Sequence, residues 1–323
     1  MFAVSVASFD RSDPLSGLMV GDLDRPDTPA DWVSVDVKAA SLNHHDLWSL
    51  QGVGLSEESL PMILGCDAAG LDEDGAEVLV HAVVPDPAWM GDETLDPQRS
   101  LLSERHPGTF AETVRVPRRN LVPKPAGLSF EEAACLPTAW LTAYRMLFVR
   151  AGLHPGDSVL VQGAGGGVAT AVIVLARAAG MRVFATSRDE AKRARAEELG
   201  AHEAFEPGAR LPQRVDAVME TVGAATWSHS IKSLRPGGTM VIAGATSGFT
   251  PDVGELNRIF FLQLRVLGST MGTRDELGRL ADFLAVTGAR PVIDRTLPME
   301  RASDGFAALH AGDVVGKVVL TRR

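Results

Sequence analysis

A glycine-rich segment stands between an apolar run and an apolar helical pattern, and its residues suit the binding of a phosphate group. The segment 163–167 follows the apolar run Ser158–Gln162 and precedes the apolar pattern Val168–Ala179. Glycines permit a tight turn and let backbone N–H groups approach a pyrophosphate, while a helix N-terminus adds favourable partial charge. Because a strand precedes the cluster and a helix follows it, we predict a dinucleotide cradle rather than a purely structural turn. The cradle residues are Gly163, Ala164, Gly165, Gly166, Gly167 and Val168.

The residues after the next apolar strand indicate which dinucleotide is bound. In NAD proteins an acidic residue near this strand end bonds the ribose hydroxyls, whereas a nearby arginine accommodates the 2′-phosphate of NADP. The predicted strand Arg182–Thr186 is followed by Ser187 and Arg188, and Lys192 lies one helical turn further on. A serine hydroxyl and two basic side chains can bind a phosphate. We predict NADP(H) as the cofactor; the alternative is that Arg188 and Lys192 are solvated helix residues.

The elements that must position these residues alternate regularly between strand and helix. This order at this spacing is typical of a parallel, doubly wound sheet. The predicted strands are Ser158–Gln162, Arg182–Thr186, Asp216–Val222, Thr239–Ala243 and Arg265–Ser269. The predicted helices between them are Val168–Ala179, Glu190–Leu199, Ala225–Leu234 and Val253–Leu262.

The chain before this region is rich in short strand patterns and turns. Strands are predicted at Trp32–Val37, Glu77–Val84 and Thr109–Val116, and the polar segment Pro85–Gly108 is expected to be a solvated surface loop without chemistry. Two helices are predicted next, one capped by Ser129 and one at Thr138–Val149. After the parallel region, helices are predicted at Asp275–Val286 and Ala302–His310 and a strand at Lys317–Leu320. Because this tail resumes the short-strand pattern of the first region, we expect it to rejoin the β-rich domain. The fold class expected is therefore α/β, with a β-rich domain beside a doubly wound one.

Composition and charge narrow the class of protein further. A length of 323 residues predicts about two domains. The hydrophobic content of 45% and charged content of 22% are typical of a globular protein, and the net charge of −10 argues against nucleic acid or an anionic membrane as the main partner. Two cysteines exclude a disulfide framework and a four-thiolate zinc site. Without a signal peptide or a transmembrane run, a cytoplasmic location is expected.

Several segments, in combination and in this order, resemble the medium-chain dehydrogenase/reductase superfamily over essentially the whole chain. They are Ser41-Leu42-Asn43-His44-His45-Asp46-Leu47-Trp48, Pro61–Gly70, Pro107–Glu112, Leu141–Tyr144, the glycine segment, Leu199–Ala201 and Gly316–Leu320. The resemblance implies a GroES-like catalytic domain split by a Rossmann cofactor domain, with the active site in the cleft between them. The expected boundaries are 1–136 for the first part of the catalytic domain, 137–270 for the cofactor domain and 271–323 for the returning segment.

The zinc positions of the superfamily are the main departure from its pattern. Where alcohol dehydrogenases place a cysteine, a histidine followed by a glutamate and a second cysteine, this chain has Asn43, Cys66 followed by Asp67, and Thr138. A catalytic zinc site needs three protein ligands and an open position. The lobe that carries a four-cysteine structural zinc in relatives is Pro85–Gly108 here, and it contains no cysteine. We therefore expect no bound metal, with an atypical site near Cys66 as the alternative.

The resemblance also assigns roles to individual residues. It implies Asn43 as a hydrogen-bond donor to the substrate or nicotinamide ribose, His45 as the proton donor and Asp46 as the residue that orients the neighbouring loop. A packed or hydrogen-bonded histidine is the alternative for His45, and an exposed charge is the alternative to a cleft role for Lys317. The further cofactor contacts implied are His44, Thr138, Thr142, Gly244, Ala245, Thr246, Ser269, Thr270 and Met271.

The missing Lewis acid determines the reaction that we expect. A conjugated enone or quinone accepts hydride more easily than an isolated ketone, because the developing charge spreads onto an oxygen that hydrogen-bond donors can stabilise. The sequence thus predicts hydride transfer from NADPH to a small-molecule quinone or α,β-unsaturated carbonyl. Two alternatives remain, a zinc-type alcohol or aldehyde dehydrogenase with an atypical metal site and an NADPH-binding protein with little turnover. A homodimer is expected by fold analogy, through the strand Arg265–Ser269 and the apolar run before it.

Overall fold

The computed structural model describes residues 1–322 and divides them into two compact units. The first unit comprises residues 1–138, 273–286 and 293–322, and the second comprises 139–272 and 287–292. The predicted boundaries at 136 and 270 lie two residues before the 138 and 272 at which these units change. The first unit is therefore assembled from both ends of the chain.

The first unit begins with ten strands and two helices. In chain order they are β1 (Phe2–Val6), β2 (Leu18–Asp22), β3 (Val33–Ser41), α1 (His44–Leu50), β4 (Met62–Ile63), β5 (Ala68–Asp72), β6 (Glu77–Val80), β7 (Val83–Val84), β8 (Ser100–Leu101), β9 (Thr113–Val116), β10 (Leu121–Pro123) and α2 (Phe130–Ala133). The predicted cap of α2 is confirmed, since the Ser129 hydroxyl accepts the Glu132 N–H and the Glu132 carboxylate accepts the Ser129 N–H.

The second unit contains six strands and five helices. They are α3 (Leu141–Tyr144), β11 (Ser158–Val161), α4 (Gly167–Ala178), β12 (Arg182–Thr186), α5 (Glu190–Glu198), β13 (Glu203–Phe205), β14 (Val215–Glu220), α6 (Trp227–Ser233), β15 (Leu234–Ile242), α7 (Leu256–Phe261) and β16 (Arg265–Gly268). The rest of the described chain forms α8 (Arg274–Thr287), β17 (Ile293–Pro298), α9 (Ala302–Ala311) and β18 (Lys317–Thr321).

The sheet of the second unit confirms the predicted Rossmann topology. Its six strands are all parallel, in the order β13-β12-β11-β14-β15-β16. All four residues of β11 are buried, as expected for a central parallel strand covered on both faces. The strand order reverses between β11 and β14, and ligands of such sheets bind at the carboxyl ends of the strands at this reversal.

The main sheet of the first unit joins the returning tail to the start of the chain. Its strands run β10-β6-β5-β3-β18-β17, and β9 also pairs with β3. Residues Val33, Val35 and Val37 of β3 face the core in alternation with half-buried residues, which is the predicted pattern. Because β18 pairs with β3 at Val319 and Ser41, the tail rejoins the first unit as expected.

Three local predictions need correction. The expected strand Glu77–Val84 is interrupted, because the Asn120 side chain donates hydrogen bonds to the carbonyl oxygens of His81 and Val83. The expected strand at Thr109 begins only at Thr113. The helix predicted at Thr138–Val149 is present, but it is α-helical only at α3 and has π-helical turns on both sides.

The segment Pro85–Gly108 is more ordered than a solvated loop. It contains β8 and a short 3₁₀ helix at Glu93–Leu95. Asp96, Leu102 and Ser103 in this segment are fully buried. In the part of the chain that the structure describes, no helix combines the length and apolar character needed to cross a bilayer.

Candidate active site

The first turn of α1 holds the polar residues that the sequence singled out. Asn43 precedes the helix, and its backbone N–H donates a 2.7 Å hydrogen bond to Oδ2 of Asp46 three residues later. This contact fixes the start of the helix in the manner of a capping residue. Asp46 is fully buried and Asn43 is nearly so, whereas His44 is exposed on the first helical turn.

The Asn43 side chain is hydrogen-bonded within the protein at both ends of its amide. Its Oδ1 accepts a 2.6 Å hydrogen bond from Lys317 Nζ, and its Nδ2 donates to Asp67 Oδ2 at 2.9 Å. A longer contact of 3.4 Å joins Nδ2 to the Ser41 carbonyl oxygen. The amide is thus an internal bridge between a cation and an anion.

A buried ion pair lies next to this amide. Lys317 Nζ and Asp67 Oδ2 are 3.1 Å apart, and the two side chains are 2% and 0% exposed. The ammonium also donates to the Leu42 carbonyl oxygen at 2.6 Å, and the carboxylate also accepts the Ser41 hydroxyl at 2.8 Å. Buried charges require such partners, because an unpaired charge in the interior is strongly destabilising. The interpretation of Lys317 as an exposed charge is therefore wrong.

The residues at the superfamily's zinc positions do not form a ligand set here. Asn43 uses its only acceptor oxygen on Lys317, and Thr138 offers a neutral hydroxyl, which is not among the usual zinc ligands. The Thr138 hydroxyl is buried and has no hydrogen-bond partner within residues 1–322. Of the three positions, Cys66 alone carries a soft ligand.

The Cys66 thiol instead contacts His45 and Leu102, which are not among these three positions. Its Sγ lies 3.5 Å from His45 Nδ1 and donates to the Leu102 carbonyl oxygen at 3.3 Å. The other ring nitrogen of His45, Nε2, lies 3.0 Å from Glu104 Oε1. His45 and Glu104 are 21% and 26% exposed, while Cys66 is buried.

Opposing effects set the protonation of His45 and Cys66. Burial disfavours the imidazolium, but the charge of Cys66 and hydrogen bonds to Asp46, Cys66 and Glu104 outweigh it, so the pKa of His45 is raised well above its ordinary value. Burial raises the pKa of the Cys66 thiol, against the lowering effect of His45. The contact between the two side chains therefore favours the charged form of each of them, whereas burial disfavours it.

The glycine segment follows β11 in the second unit and has the shape of a cradle. Gly163 has φ +76°, and a methyl group on it would lie 2.8 Å from Val222 Cγ2. A methyl group on Gly165 would lie 2.9 Å from Lys192 Cδ. Gly163 therefore requires glycine, whereas a methyl group on Gly165 would displace only the flexible end of the Lys192 side chain. The missing side chains leave space that a dinucleotide phosphate needs.

The basic residues expected near the cofactor ribose lie around the start of α5. Lys192 is half-buried, with its side chain folded toward Gly165, and Arg188 is exposed. The Ser187 hydroxyl accepts the Asp189 N–H at 3.2 Å, and Asp189 in turn caps α5. One residue here was missed by the sequence analysis: Arg193 donates to the carbonyl oxygens of Ser187 and Arg188, and so holds this turn.

Two groups of the other predicted cofactor residues follow the carboxyl ends of β15 and β16, and Thr142 lies on α3. Gly223 packs against Ala245, and a methyl group on Gly244 would lie 3.0 Å from the Thr221 carbonyl oxygen. Thr246 donates its N–H to that same oxygen. Ser269 follows β16 and bonds Ile242 through its N–H, Met271 is buried, and Thr142 on α3 is nearly buried. Thr270, between Ser269 and Met271, is exposed.

Two further residues of the first unit were not assigned a role from the sequence. Glu104 contacts His45 from within the segment expected to be solvated and inert. Ser41 contacts Asp67 and the Ala134 carbonyl oxygen. No spacing in the sequence links these pairs, since 59 residues separate Glu104 from His45 and 26 separate Ser41 from Asp67.

Comparisons with known proteins agree with this architecture. The family model of the alcohol dehydrogenase GroES-like domain matches residues 29–126, and that of the zinc-binding dehydrogenase matches residues 167–286. A solved structure of an NAD-dependent alcohol dehydrogenase superposes with a TM-score of 0.91 at 36% identity, covering 100% of both chains.

Two curated relatives extend the comparison. Acryloyl-coenzyme A reductase of Sulfurisphaera tokodaii is 28% identical over 95% of this chain and 97% of its own length. The 2-methylene-furan-3-one reductase of Solanum lycopersicum is 32% identical over 91% of this chain and 73% of its own length. Together with the split first unit and the six-stranded parallel sheet, these matches show that the chain belongs to the medium-chain dehydrogenase/reductase superfamily.

Proposed function

We propose that this protein is an NADPH-dependent reductase that transfers hydride to an α,β-unsaturated carbonyl compound or a quinone. The observation that carries the proposal is the Asn43 amide, which is bonded to Lys317 and Asp67 where a zinc-dependent relative has a thiolate ligand. Without the superfamily's Lewis acid, an acceptor that spreads its developing charge by conjugation is favoured.

Two relatives support this substrate class by their names. Acryloyl-coenzyme A is an α,β-unsaturated thioester, and a 2-methylene-furan-3-one is a ketone conjugated to an exocyclic alkene. Both relatives are reductases of a conjugated carbonyl compound, and they align with nearly the whole of this chain. The two substrates differ in size and charge, so we propose the reactive group and not one named acceptor.

The cradle of the second unit supports NADPH as the hydride donor. When bound, this cofactor supplies a hydride to the β-carbon of the conjugated acceptor. Lys192 folds toward Gly165, and Arg188 and Ser187 follow β12 where an acidic residue would favour NAD. The solved alcohol dehydrogenase that is 36% identical is named NAD-dependent, so the preference for NADPH rests on these residues of the present chain.

Residues at the start of α1, together with Glu104, are proposed to supply the proton and to position the site. His45 and Glu104 are both partly exposed, so this pair can take a proton from solvent and supply it to the α-carbon after hydride addition. Asn43 and Asp46 are proposed as positioning residues, because their hydrogen bonds are made within the protein and fix the start of α1.

The oligomeric state and location are part of the proposal. Strand β16 is at the edge of the parallel sheet, and beside it Phe260 and Phe261 are 73% and 78% exposed at an open groove of about 630 Å³. An unpaired sheet edge next to exposed aromatic side chains favours pairing with a second copy. The free, buried state of both cysteines supports the reducing environment of the cytoplasm.

The test is NADPH oxidation by purified protein with a conjugated enone, an enal and a quinone, each beside its saturated analogue. We expect turnover with the conjugated acceptors and little with the saturated ones, and a lower KM for NADPH than for NADH. Equal rates with saturated ketones would contradict the proposed acceptor class. Tight NADPH binding without turnover on any acceptor would indicate a binding protein instead.

A further inference from the structure

Polar residues stand at the carboxyl ends of three adjacent strands of the parallel sheet. Thr186 is the last residue of β12, Gln162 follows the last residue of β11, and Glu220 is the last residue of β14. The three strands are neighbours in the order β12-β11-β14, and the glycine cradle begins at Gly163, directly after Gln162. None of the three polar residues is more than 1% exposed. Because buried polar side chains require hydrogen-bond partners, their contacts constrain the edge of the sheet that carries the cradle.

The Glu220 carboxylate accepts four hydrogen bonds from residues between β14 and the middle of α6. Its Oε1 accepts the N–H groups of Val222 and Gly223 at 2.7 and 3.0 Å. Its Oε2 accepts the hydroxyls of Thr226 and Ser230 at 2.8 and 2.6 Å. An ionised carboxylate has no hydrogen to donate, so each of these groups has to point its hydrogen at Glu220. The buried charge therefore fixes the direction of the Ser230 hydroxyl.

A hydrogen-bond chain runs from this carboxylate to the cradle. Because Ser230 uses its hydrogen on Glu220, its oxygen is left to accept, and it accepts a 3.0 Å hydrogen bond from Gln162 Nε2. The amide oxygen of Gln162 therefore faces Thr186, whose hydroxyl donates to it at 2.5 Å. The Thr186 hydroxyl oxygen in turn accepts the Gly163 N–H at 3.5 Å. The first N–H of the cradle is thus connected to the buried charge.

His229 supports the same direction of the hydrogen-bond chain. Gln162 Nε2 lies 3.0 Å from His229 Nδ1, and His229 Nε2 lies 2.9 Å from the Ala209 carbonyl oxygen. A carbonyl oxygen only accepts, so the neutral ring with its hydrogen on Nε2 satisfies both contacts. The Gln162 amide nitrogen then uses one hydrogen on His229 and the other on Ser230.

We propose that the buried charge of Glu220 positions the glycine cradle, because it sets the direction of the hydrogen bonds in this chain. Glu220 and Gln162 are then positioning residues for the dinucleotide, and this role rests on the proposed binding of NADPH at the cradle. A second contact acts at the same point, since Glu220 also holds the Val222 N–H and a methyl group on Gly163 would lie only 2.8 Å from Val222 Cγ2. The cradle receives the pyrophosphate, which NADPH and NADH share, so a fault in the hydrogen-bond chain should weaken the binding of both.

Glu220→Gln tests the charge, because it keeps the size of the side chain. Whichever way the new amide turns, its NH₂ group faces groups that donate to Glu220 in the unmodified protein. If it faces Ser230, that hydroxyl receives hydrogen bonds from positions 220 and 162, and its own hydrogen has no acceptor in the hydrogen-bond chain. We expect the dissociation constants of NADPH and NADH, measured by isothermal titration calorimetry, each to rise about 10-fold. An unchanged affinity for both dinucleotides would overturn the proposal.

The double exchange of Glu220→Gln with Gln162→Glu moves the charge without removing it. A carboxylate at position 162 can accept the hydroxyls of Thr186 and Ser230, and an amide at position 220 can donate to Ser230. The Thr186 hydroxyl then points as it does in the unmodified protein, so we expect both affinities to recover to within about threefold. Gln162→Glu alone places two carboxylates at Ser230 and should bind both dinucleotides weakly. A double variant that binds them no better than Glu220→Gln would contradict the role of the charge.

Glu255→Gln is the matched control in the same unit. Glu255 is also a buried carboxylate that accepts a serine hydroxyl, from Ser228 at 3.0 Å, but it pairs with Lys232 and stands at the start of α7. This variant should leave both dissociation constants unchanged, and an equal weakening would remove Glu220 from its special role. If Glu220→Gln fails to fold, Ser230→Ala breaks the same hydrogen-bond chain and leaves Glu220 three donors. It should also weaken both dinucleotides, and undiminished affinity would count against the proposal.

Amide hydrogen exchange of the cofactor-free protein separates this inference from the proposed function. The N–H groups of Gly163 and Ala164 both bond Thr186, at its hydroxyl and carbonyl oxygens. We expect the peptide covering residues 160–166 to exchange faster in Glu220→Gln than in Glu255→Gln, and to slow again in the double variant. This pattern upholds the positioning of the glycine segment even if the unmodified protein binds neither dinucleotide, a result that contradicts the NADPH proposal. Unchanged exchange in folded Glu220→Gln would show that the charge does not hold the cradle.

Discussion

Lys317 and Asn43 are joined by a 2.6 Å hydrogen bond between the lysine Nζ and the amide Oδ1, although 274 residues separate them in sequence. Both side chains are buried, and the same ammonium pairs with Asp67. The last described strand thus supplies the cation that orients the amide in front of α1.

Loss of this cation should destabilise the first unit strongly. Lys317→Met would leave the Asp67 carboxylate buried without its counter-charge, so we expect the free energy of unfolding to fall by about 3–5 kcal/mol. Urea unfolding followed by far-ultraviolet circular dichroism measures the change. Lys38→Met is the matched control, because the Lys38–Asp36 pair is about one third exposed and should be worth less than about 1 kcal/mol. Similar losses in both variants would contradict the buried ion pair.

The choice between NADPH and NADH should depend on Arg188. Removing one charged hydrogen bond to the 2′-phosphate costs about 1.5–3 kcal/mol, so Arg188→Ala should raise the KM for NADPH about 10- to 100-fold. The KM for NADH should change little, since NADH lacks that phosphate. Arg195→Ala, which alters an exposed residue of α5 paired with Glu198, serves as the control. An equal effect of Arg188→Ala on both cofactors would remove Arg188 from the phosphate site.

Two glycines of the cradle should respond differently to alanine. Gly163→Ala places a side chain at φ +76° and 2.8 Å from Val222, so it should lower stability by about 1–2 kcal/mol or more. Gly166 has φ −71° and ψ 164°, which any residue can adopt, and no atom would lie within 4 Å of a methyl group on it. Gly166→Ala should therefore fold with a loss under about 1 kcal/mol and show its main defect in NADPH affinity. Thermal unfolding with and without NADPH separates the two effects, and an unstable Gly166→Ala protein would contradict this interpretation.

Acid should weaken the second unit through Asp216. Burial alone would raise the pKa of the Asp216 carboxyl. Hydrogen bonds from Ser158 and the charge of Arg235 outweigh this effect and lower the pKa below its ordinary value of 3.8. Because the folded pKa is the lower one, its stabilisation is present above pH 3.8 and is lost as the pH falls through the folded value.

Asp216→Asn tests this dependence. It should cost about 1 kcal/mol at neutral pH, and the difference from the unmodified protein should shrink as the solution is acidified below the ordinary pKa. Asp252→Asn at an exposed position is the control. A difference that is constant across the acid range would show that the charge of Asp216 is not responsible.

The proposed dimer should dissociate when a charge enters the aromatic face. Phe261→Glu places a carboxylate beside β16, and we expect sedimentation to change from dimer to monomer without loss of secondary structure. Met90→Glu alters a side chain of the first unit that is 88% exposed and should leave the state unchanged. A monomer at micromolar concentration in the unmodified protein would contradict the dimer.

The sequence predicted the second unit well because its signals are local. Strands such as β11 and β12 are continuous apolar runs, and glycine or a capping Asp189 marks where the helices begin. Strand β13 was missed, since its three residues include Glu203 and offer no apolar run. The break after β6 was missed because it depends on Asn120, which is far away in sequence.

The candidate site was predictable only in part. Asn43, His45 and Asp46 were identified, but their partners Lys317, Glu104 and Cys66 come from distant segments, and no periodic pattern records such contacts. The sequence pointed to the cradle and to Lys192, whereas the folding of Lys192 over Gly165 needed the structure.

The division of the first unit between the two ends of the chain has a consequence for biosynthesis. All strands of the parallel sheet lie within residues 158–268, so that sheet can be completed while the ribosome is still translating the tail. Asp67 is translated early, but Lys317, which supplies its counter-charge, is translated near the end of the chain. The first unit, whose translation begins first, is therefore the last to complete its fold. In nascent chains stalled before β18, we expect proteases to cleave the first unit while the cofactor-binding unit is already resistant.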